Sequence, residues 1–254
     1  MTVYALETSG LTKQFAGFTA VSDVGLRVRR HTIHGLIGPN GAGKSTCFNL
    51  LTKFLAPTRG TILYEGADIS RAGPAEVARM GLARSFQISA VFPHLTALEN
   101  VRAALQRRRG ESFDFWRSDR ILKRYDADAR ALMAEVGLTG WEETLAGEMP
   151  YGRKRALELA TTLALAPKML LLDEPLAGLG QEDVGRIAAL IKRAAEGRTV
   201  LMVEHNLNVV ASLCDVITVL TRGKILAEGD YAAVSANPAV QQAYLGEMAE
   251  PAHV

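Results

Sequence analysis

Cysteine is scarce in this chain of 254 residues: there are two, Cys47 and Cys214. They stand far apart with no Cys-x-x-Cys spacing or histidine-rich partner, so neither a zinc site nor a disulfide framework is indicated, and a reducing cytosol is the expected setting. Net charge is nearly absent as well. The 29 basic and 27 acidic residues leave a formal +2, which gives no general drive toward nucleic acid. Long apolar runs are missing too, the longest being cut by Pro167, Lys168 and Asp173 well short of the ~20 residues that span a bilayer. The chain is therefore not expected to cross a membrane by itself. Residues 1–7 show no basic region and no apolar stretch of the kind that forms a secretory leader. No Asn-Lys-x-Asp guanine-recognition motif and no internal repeat occur. Apolar residues, in contrast, make up 48% of the chain, enough for a substantial core in one large α/β domain or two small ones.

The feature that decides the reading is a full G-x-x-x-x-G-K-S/T loop, Gly38, Pro39, Asn40, Gly41, Ala42, Gly43, Lys44, Ser45 and Thr46, directly after the apolar residues 33–37. Its glycines let successive backbone N–H groups turn inward, and the helix that follows adds its positive end, so the loop is a cradle for polyphosphate. Lys44 is placed to reach the terminal phosphates and the Ser45 hydroxyl to bind a bridging magnesium ion. Cys47 lies in the first turns of the same helix, where the helix field favours a thiolate if water reaches it and burial makes it inert.

Along the chain, Val24, Leu26 and Val28 alternate with Gly25, Arg27 and Arg29, the period of a sheet with one buried face. The first thirty residues should form a small, largely antiparallel sheet. A helix over 44–54 should stop before Pro57, with strands at 61–64 and 82–86. From about 96 to 148 the pattern is helical and charged, with Ala129, Leu132, Met133 and Val136 on one face and Gly137 suited to the helix end. The run of Arg107, Arg108 and Arg109 there is a solvated helix face or a contact for phosphates or acidic lipid. After Gly152 the α/β alternation resumes: a helix with Leu157, Ala160, Leu163 and Ala164 on one side, a buried strand at 169–172, a helix at 182–195 and a second buried strand at 199–203. Residues 216–220 and 224–227 read as a hairpin about Thr221, Arg222 and Gly223.

Both buried strands end in polar chemistry. Asp173 and Glu174 follow the first, where open parallel sheets bind ligands, and two adjacent acids there divide two jobs: Asp173 holds magnesium, and Glu174 takes the proton of an attacking water or orients it. Capping of the next helix is the alternative. His205 stands at the end of the next strand, where an imidazole can meet a γ-phosphate and attacking water or serve a structural purpose.

In motif order and over almost its whole length the chain resembles the ATP-binding-cassette family of transporter ATPases. On that resemblance Phe15, a core aromatic in the alternative reading, matches the residue that stacks on adenine. Gln87 matches the glutamine that contacts magnesium and senses the membrane subunit, residues 176–180 match the D-loop, and His205 the switch histidine. The family's Leu-Ser-Gly-Gly-Gln signature is replaced here by Met149, Pro150, Tyr151, Gly152 and Arg153. The serine hydroxyl is gone, so the Gly152 backbone and the following helix end keep the phosphate-binding logic, and Arg153 faces an external anion or solvent. The Pro-Tyr-Gly variant, residues 84–87 and the tail 242–246 are similar to the branched-chain amino acid subgroup.

The resemblance implies an α/β fold with a phosphate-loop core and mainly parallel sheet, an antiparallel β subdomain at the N-terminus and an inserted helical subdomain. These make one domain over 1–254, with the core and β subdomain at about 1–95 and 155–247 and the helical part at about 96–154. It implies ATP and Mg2+, and catalytic roles for Glu174, His205, Lys44 and Gln87, with magnesium held by Ser45, Gln87 and Asp173. Two subunits, identical or paralogous, would close over two ATP molecules, each completed by the partner's Tyr151, Gly152 and Arg153. The implied setting is the cytoplasmic face of the plasma membrane, with permease subunits receiving the motion near residues 91–93, a solute-binding protein acting indirectly and no nucleic acid. A cassette ATPase that remodels a complex without transport is the alternative; a GTPase or small-molecule kinase is disfavoured by the missing guanine motif.

Overall fold

The alternating positions near the N-terminus become three antiparallel strands, β1 (Tyr4–Phe15), β2 (Phe18–Val24) and β3 (Arg27–Arg29). The computed structural model describes residues 3–85, 91–108 and 122–249. Val24, Leu26 and Val28 are buried while Gly25, Arg27 and Arg29 are exposed, as a sheet with one wet face requires. In chain order there follow β4 (Ile33–Ile37), α1 (Lys44–Leu51), β5 (Arg59–Tyr64), β6 (Ala67–Asp68), α2 (Pro74–Arg79) and β7 (Leu82–Ser85). Next come α3 (Ala97–Arg108), α4 (Asp126–Glu135) and α5 (Tyr151–Ala164), then β8 (Met169–Asp173), α6 (Gln181–Ala194) and β9 (Thr199–Val203). The chain continues through α7 (Leu207–Leu213), β10 (Val216–Thr221), β11 (Lys224–Gly229), α8 (Tyr231–Ser235) and α9 (Pro238–Ala249).

Helix α1 ends earlier than residue 54, for a local reason. The Thr52 hydroxyl donates to the Phe48 carbonyl at 2.8 Å and Lys53 adopts φ +63°, a left-handed turn that cannot continue the helix.

Contacts divide the chain into two units, one of Met1–Leu82, Met169–Glu174 and Ala195–Val254, the other of Ala83–Lys168 and Pro175–Ala194. In the first unit, one sheet has the order β2-β1-β5-β6, with β3 also pairing β1, and is antiparallel. The second runs β11-β10-β4-β9-β8, parallel except for the β10–β11 hairpin. Every residue of β4, β8 and β9 is buried, which is why those stretches read as unbroken apolar runs. Phe48, Leu50 and Leu51 of α1 join Leu171, Leu201 and Val203 in its core, so α1 is anchored to the strands whose ends carry the polar groups. This is the mainly parallel α/β core with an N-terminal antiparallel sheet that the sequence predicts.

The second unit is helical. Leu98, Val101 and Leu105 of α3 and Ala129 and Met133 of α4 are buried, and Arg102 pairs with Asp126 at 2.6 Å. Helix α5 is buried on all sides from Ala156 to Ala164, not on one side as its apolar period predicts. Its polar residues are locally satisfied: the Thr161 and Thr162 hydroxyls donate to the Glu158 carbonyl, and the Glu158 carboxylate pairs with Arg155.

A buried histidine links three strands of the parallel sheet. The Thr218 hydroxyl on β10 donates to Glu228 Oε2 on β11 at 2.6 Å, so it accepts from His34 Nε2 of β4 at 2.7 Å, which fixes the neutral tautomer with hydrogen on Nε2. His34 Nδ1 finds no partner among the described residues, and burial pushes the imidazole down to about 4. Because the folded value is depressed below the unfolded one, the unfolded chain takes up the proton first as pH falls. Stability present above about pH 6.5 is therefore lost between there and about pH 4, about 2 kcal/mol of it by about pH 5. Urea unfolding across that window should show this slope, and His34→Gln should flatten it. An equal slope in the variant would assign the loss to other groups.

Candidate functional site

The parallel strands deliver their C-terminal ends to one edge because their registers agree. Leu36 of β4 lies opposite Val203 of β9, and Val203 opposite Asp173 of β8. Neighbouring strands are about 4.8 Å apart, so the loop after Ile37, the acids after Leu172 and the residues after Val203 emerge side by side. Open α/β sheets bind ligands at such an edge.

The glycine-rich loop leads into α1, whose N-cap is Gly43 at φ +98° with no side-chain cap. The first-turn N–H groups of a helix have no intrahelical carbonyl to donate to, and the cap residue here, a glycine, has no side chain to receive them. Such a donor set, at the positive end of a helix, fits a phosphate chain. Lys44 is buried, and its ammonium donates to the Gly38 and Pro39 carbonyls at 2.6 and 2.8 Å, arching back over the loop. Asn40, Gly41 and Ser45 are exposed, Pro39, Gly43 and Thr46 half-buried, and Gly38 and Ala42 buried.

The loop is braced from outside. The hairpin turn Arg222-Gly223 donates from Gly223 N to the Ala42 carbonyl at 2.9 Å and accepts at its own carbonyl from Ser22 N of β2 at 2.8 Å. A Cβ on Gly43 would collide with the Ala20 carbonyl of the same strand. Cys47 is wholly buried and its thiol is pushed up to about 12, so desolvation outweighs the helix field and no thiolate is available there.

Asp173 ends β8 as a buried carboxylate, whereas Glu174 turns outward at φ +49°. Glu174 Oε1 and His205 Nε2 meet at 2.9 Å, with both side chains more than a third exposed. The backbone is held while the side chains stay accessible: Glu174 N donates to the Val203 carbonyl at 3.0 Å, and His205 N donates to buried Glu204 Oε2 at 3.1 Å. Asn206 Oδ1 then caps α7 by accepting from Asn208 N and Val209 N. Neither Glu204 nor Asn206 is given a role by the sequence alone, though Asn just before a helical stretch is an N-cap signal. An imidazole bound to one carboxylate oxygen orients the group and leaves the other oxygen to receive a proton.

Phe15 is 42% exposed at the end of β1, with Lys13 Nζ 5.1 Å from its ring centre, so it is not a core aromatic. Its partner across the hairpin is Phe18, on the strand that reaches the loop at Ala20. Gln87, Phe86 and Arg109 lie outside the described residues.

In the second unit α5 starts after Pro150 with no side-chain cap. Tyr151 is exposed, while Gly152 is buried where a Cβ would collide with the Asp183 carboxylate, itself paired with Arg186 at 2.6 Å. Arg153, which the sequence leaves facing an external anion or solvent, has a partner within its own chain. Its Nη1 donates to the Gly137 carbonyl at 2.6 Å, and the guanidinium lies 5.5 Å from the Trp141 ring centre. Gly137, at φ +72°, follows the C-cap of α4, so a cation that opposes the dipole of its own helix complements the negative end of another. Residues 91–93 present Phe92 outward on a loop pinned by buried Asn100, which accepts from Phe92 N at 2.7 Å and donates to the Phe92, Leu95 and Thr96 carbonyls.

A parallel strand, a phosphate loop capping a helix and acids on the neighbouring strand ends define a phosphate-loop nucleoside triphosphatase. The family described as ABC transporter matches residues 21–177, and that described as branched-chain amino acid ATP-binding cassette transporter matches residues 224–250. The chain belongs to the ABC transporter family and is an ATPase of that family. It is 40% identical over 252 residues to the high-affinity branched-chain amino acid transport ATP-binding protein BraF of Pseudomonas aeruginosa, covering 95% of this chain and 98% of the relative. Against LivG of Escherichia coli, which bears the same description, identity is 36% over 249 residues, 95% of this chain and 98% of that one. The crystal structure of the ADP conformation of MJ1267, an ATP-binding cassette of an ABC transporter, superposes with a TM-score of 0.83 at 29% identity, over 96% of this chain and all of that one.

Proposed function

We propose that this chain is the ATP-hydrolysing subunit of an importer for branched-chain or related hydrophobic amino acids. The observation that carries the reading is likeness to branched-chain transport ATPases through almost the full length of both chains, including the C-terminal segment 224–250. None of these relatives favours a cassette ATPase that remodels a complex without transport. Among the described residues no helix is long and apolar enough to cross a membrane, which suits a peripheral subunit beneath separate permease subunits at the cytoplasmic face. The outward Phe92 on its pinned loop is the proposed seat for the permease, with a solute-binding protein acting on the far side.

In the proposed cycle the loop from Gly38 to Thr46 receives the phosphates of ATP, Lys44 leaves its two carbonyls for the terminal phosphates, and Phe15 stacks on the adenine. Buried Asp173 and the exposed Ser45 hydroxyl, with Gln87, would hold magnesium. Among the described residues no cluster of three His, Cys, Asp or Glu side chains stands ready for a metal, which fits an ion that takes one or two protein ligands and completes its shell with phosphate and water. Magnesium supplies charge neutralisation on the phosphates. Glu174 takes the proton of the attacking water, with His205 orienting its carboxylate. A second subunit contributes the Gly152 backbone and the α5 terminus, with Tyr151 beside them; Arg153 would have to leave the Gly137 carbonyl to join. Cells deprived of this chain should lose most high-affinity uptake of radiolabelled leucine, isoleucine or valine, and the intact chain should restore it. Undiminished uptake would sink the proposal.

A further inference from the structure

The Tyr151 side chain is about half exposed yet tied at both ends. Its hydroxyl accepts from Arg155 Nη2 at 2.6 Å and donates to the Ala177 carbonyl at 3.2 Å, twenty-six residues away in sequence. Behind it, Arg155 Nη1 donates to Glu158 Oε2 at 2.9 Å, with side-chain exposures of only 11% and 6%. An ion pair taken that far out of water is retained only where geometry and further hydrogen bonds are good. Here the second face of the guanidinium is spent on a tyrosine. The ring also lies 3.5 Å from where a Cβ on Gly178 would be, in ordinary contact with a residue whose φ of +75° makes the chain turn. Ala177 and Gly178 are exposed, whereas Pro175 and Leu176 just before them are buried. The segment that leaves Glu174 is thus fixed by burial at its start and by Tyr151 at its crest.

We propose that Tyr151 is a positioning residue: through the chain Glu158–Arg155–Tyr151–Ala177 the buried interior of α5 sets the path of residues 175–178, and so the backbone from which Glu174 emerges. A tyrosine serving only as a surface contact would need no bond to a main-chain carbonyl on another segment. One serving only to pack would need no hydroxyl. The inference rests on the reading of Glu174 as the catalytic base, because Glu174 is joined to this segment by a peptide bond and already holds a left-handed φ that the following residues must sustain.

Tyr151→Phe keeps the ring on Gly178 and under the Arg155 guanidinium, whose carbon lies 5.0 Å from the ring centre, while deleting the hydroxyl. With the purified full-length chain and Mg-ATP, turnover should fall about tenfold, the scale of losing a hydrogen bond to a charged group. KM for ATP and the thermal midpoint should stay near those of the parent. Arg155→Lys should produce a fall of the same order, and the double variant should be little worse than either single one, since both break one chain. Unchanged turnover in Tyr151→Phe overturns the proposal, as does a fall confined to KM, which would make Tyr151 a nucleotide contact. Fully additive losses would also overturn it. Glu174→Gln in the same assay separates the two readings: if that variant turns over normally, the assignment of the base has failed, whereas an inactive Glu174→Gln beside a normal Tyr151→Phe rejects this inference alone.

Discussion

Glu174→Gln should leave ATP binding intact while lowering turnover by about 10²- to 10⁴-fold, the scale for losing a positioned general base. The substitution keeps the size of the side chain and the hydrogen bond to His205 Nε2, now 2.9 Å from Oε1. It removes only the capacity to take a proton. The phosphate loop, carried by β4 with β9 between it and β8, is untouched, so nucleotide should bind with near-parental affinity and remain unhydrolysed. Single-turnover hydrolysis beside a filter-binding isotherm checks both halves, and near-normal hydrolysis would remove Glu174 from the role. Asp173 offers a contrast. It is buried where Glu174 is exposed, so the more accessible of the two acids is the one that can meet water.

Gly43→Ala should be severely damaging for the addition of a single methyl group. The residue holds φ +98°, where an L side chain is strained, and its Cβ would strike the backbone carbonyl of Ala20, which cannot rotate aside. The loop must open, carrying the head of α1 with it. ATP binding should fall by at least about a hundredfold, with a loss of about 2–4 kcal/mol in stability. Gly41→Ala is the control: Gly41 also has a positive φ, +74°, but nothing lies within 4 Å of its added Cβ, so only the backbone strain of about 1 kcal/mol applies. Calorimetric titration of the two variants should separate them clearly. Equal losses would mean that conformation alone, and not the collision with Ala20, decides the loop's fate.

Legibility in the sequence followed the range of the interactions. Residues 38–46 could be read because a phosphate cradle constrains neighbouring positions, and the strands at 169–172 and 199–203 because burial on both faces leaves no room for polar alternation. The pairing of Glu174 with His205 was only half legible: both residues stood at strand ends, but their meeting depends on the β8–β9 register. Arg153 was legible only in part, since its helix position speaks of a dipole conflict and says nothing of its bond to the Gly137 carbonyl sixteen residues earlier. Polar residues of α5 hid their burial because their bonds are made within the helix itself, so a one-sided apolar period underestimates how enclosed that helix is.

The bond from Gly223 to the Ala42 carbonyl sets a clock on synthesis. All nine loop residues have been translated by residue 46, yet the turn that braces them is still far from the ribosome's active site. At about 5–20 residues per second, about 10–35 s separate the two events. Throughout that interval the nascent chain carries a complete motif with an incomplete scaffold, so ATP, abundant as it is, has no finished cradle to stabilise by mass action. Nucleotide can act as a folding ligand only for a chain that is almost fully made. The cell's ATP level therefore bears on the last stage of maturation, when the C-terminal hairpin closes over β2, and hardly at all on the stages before it.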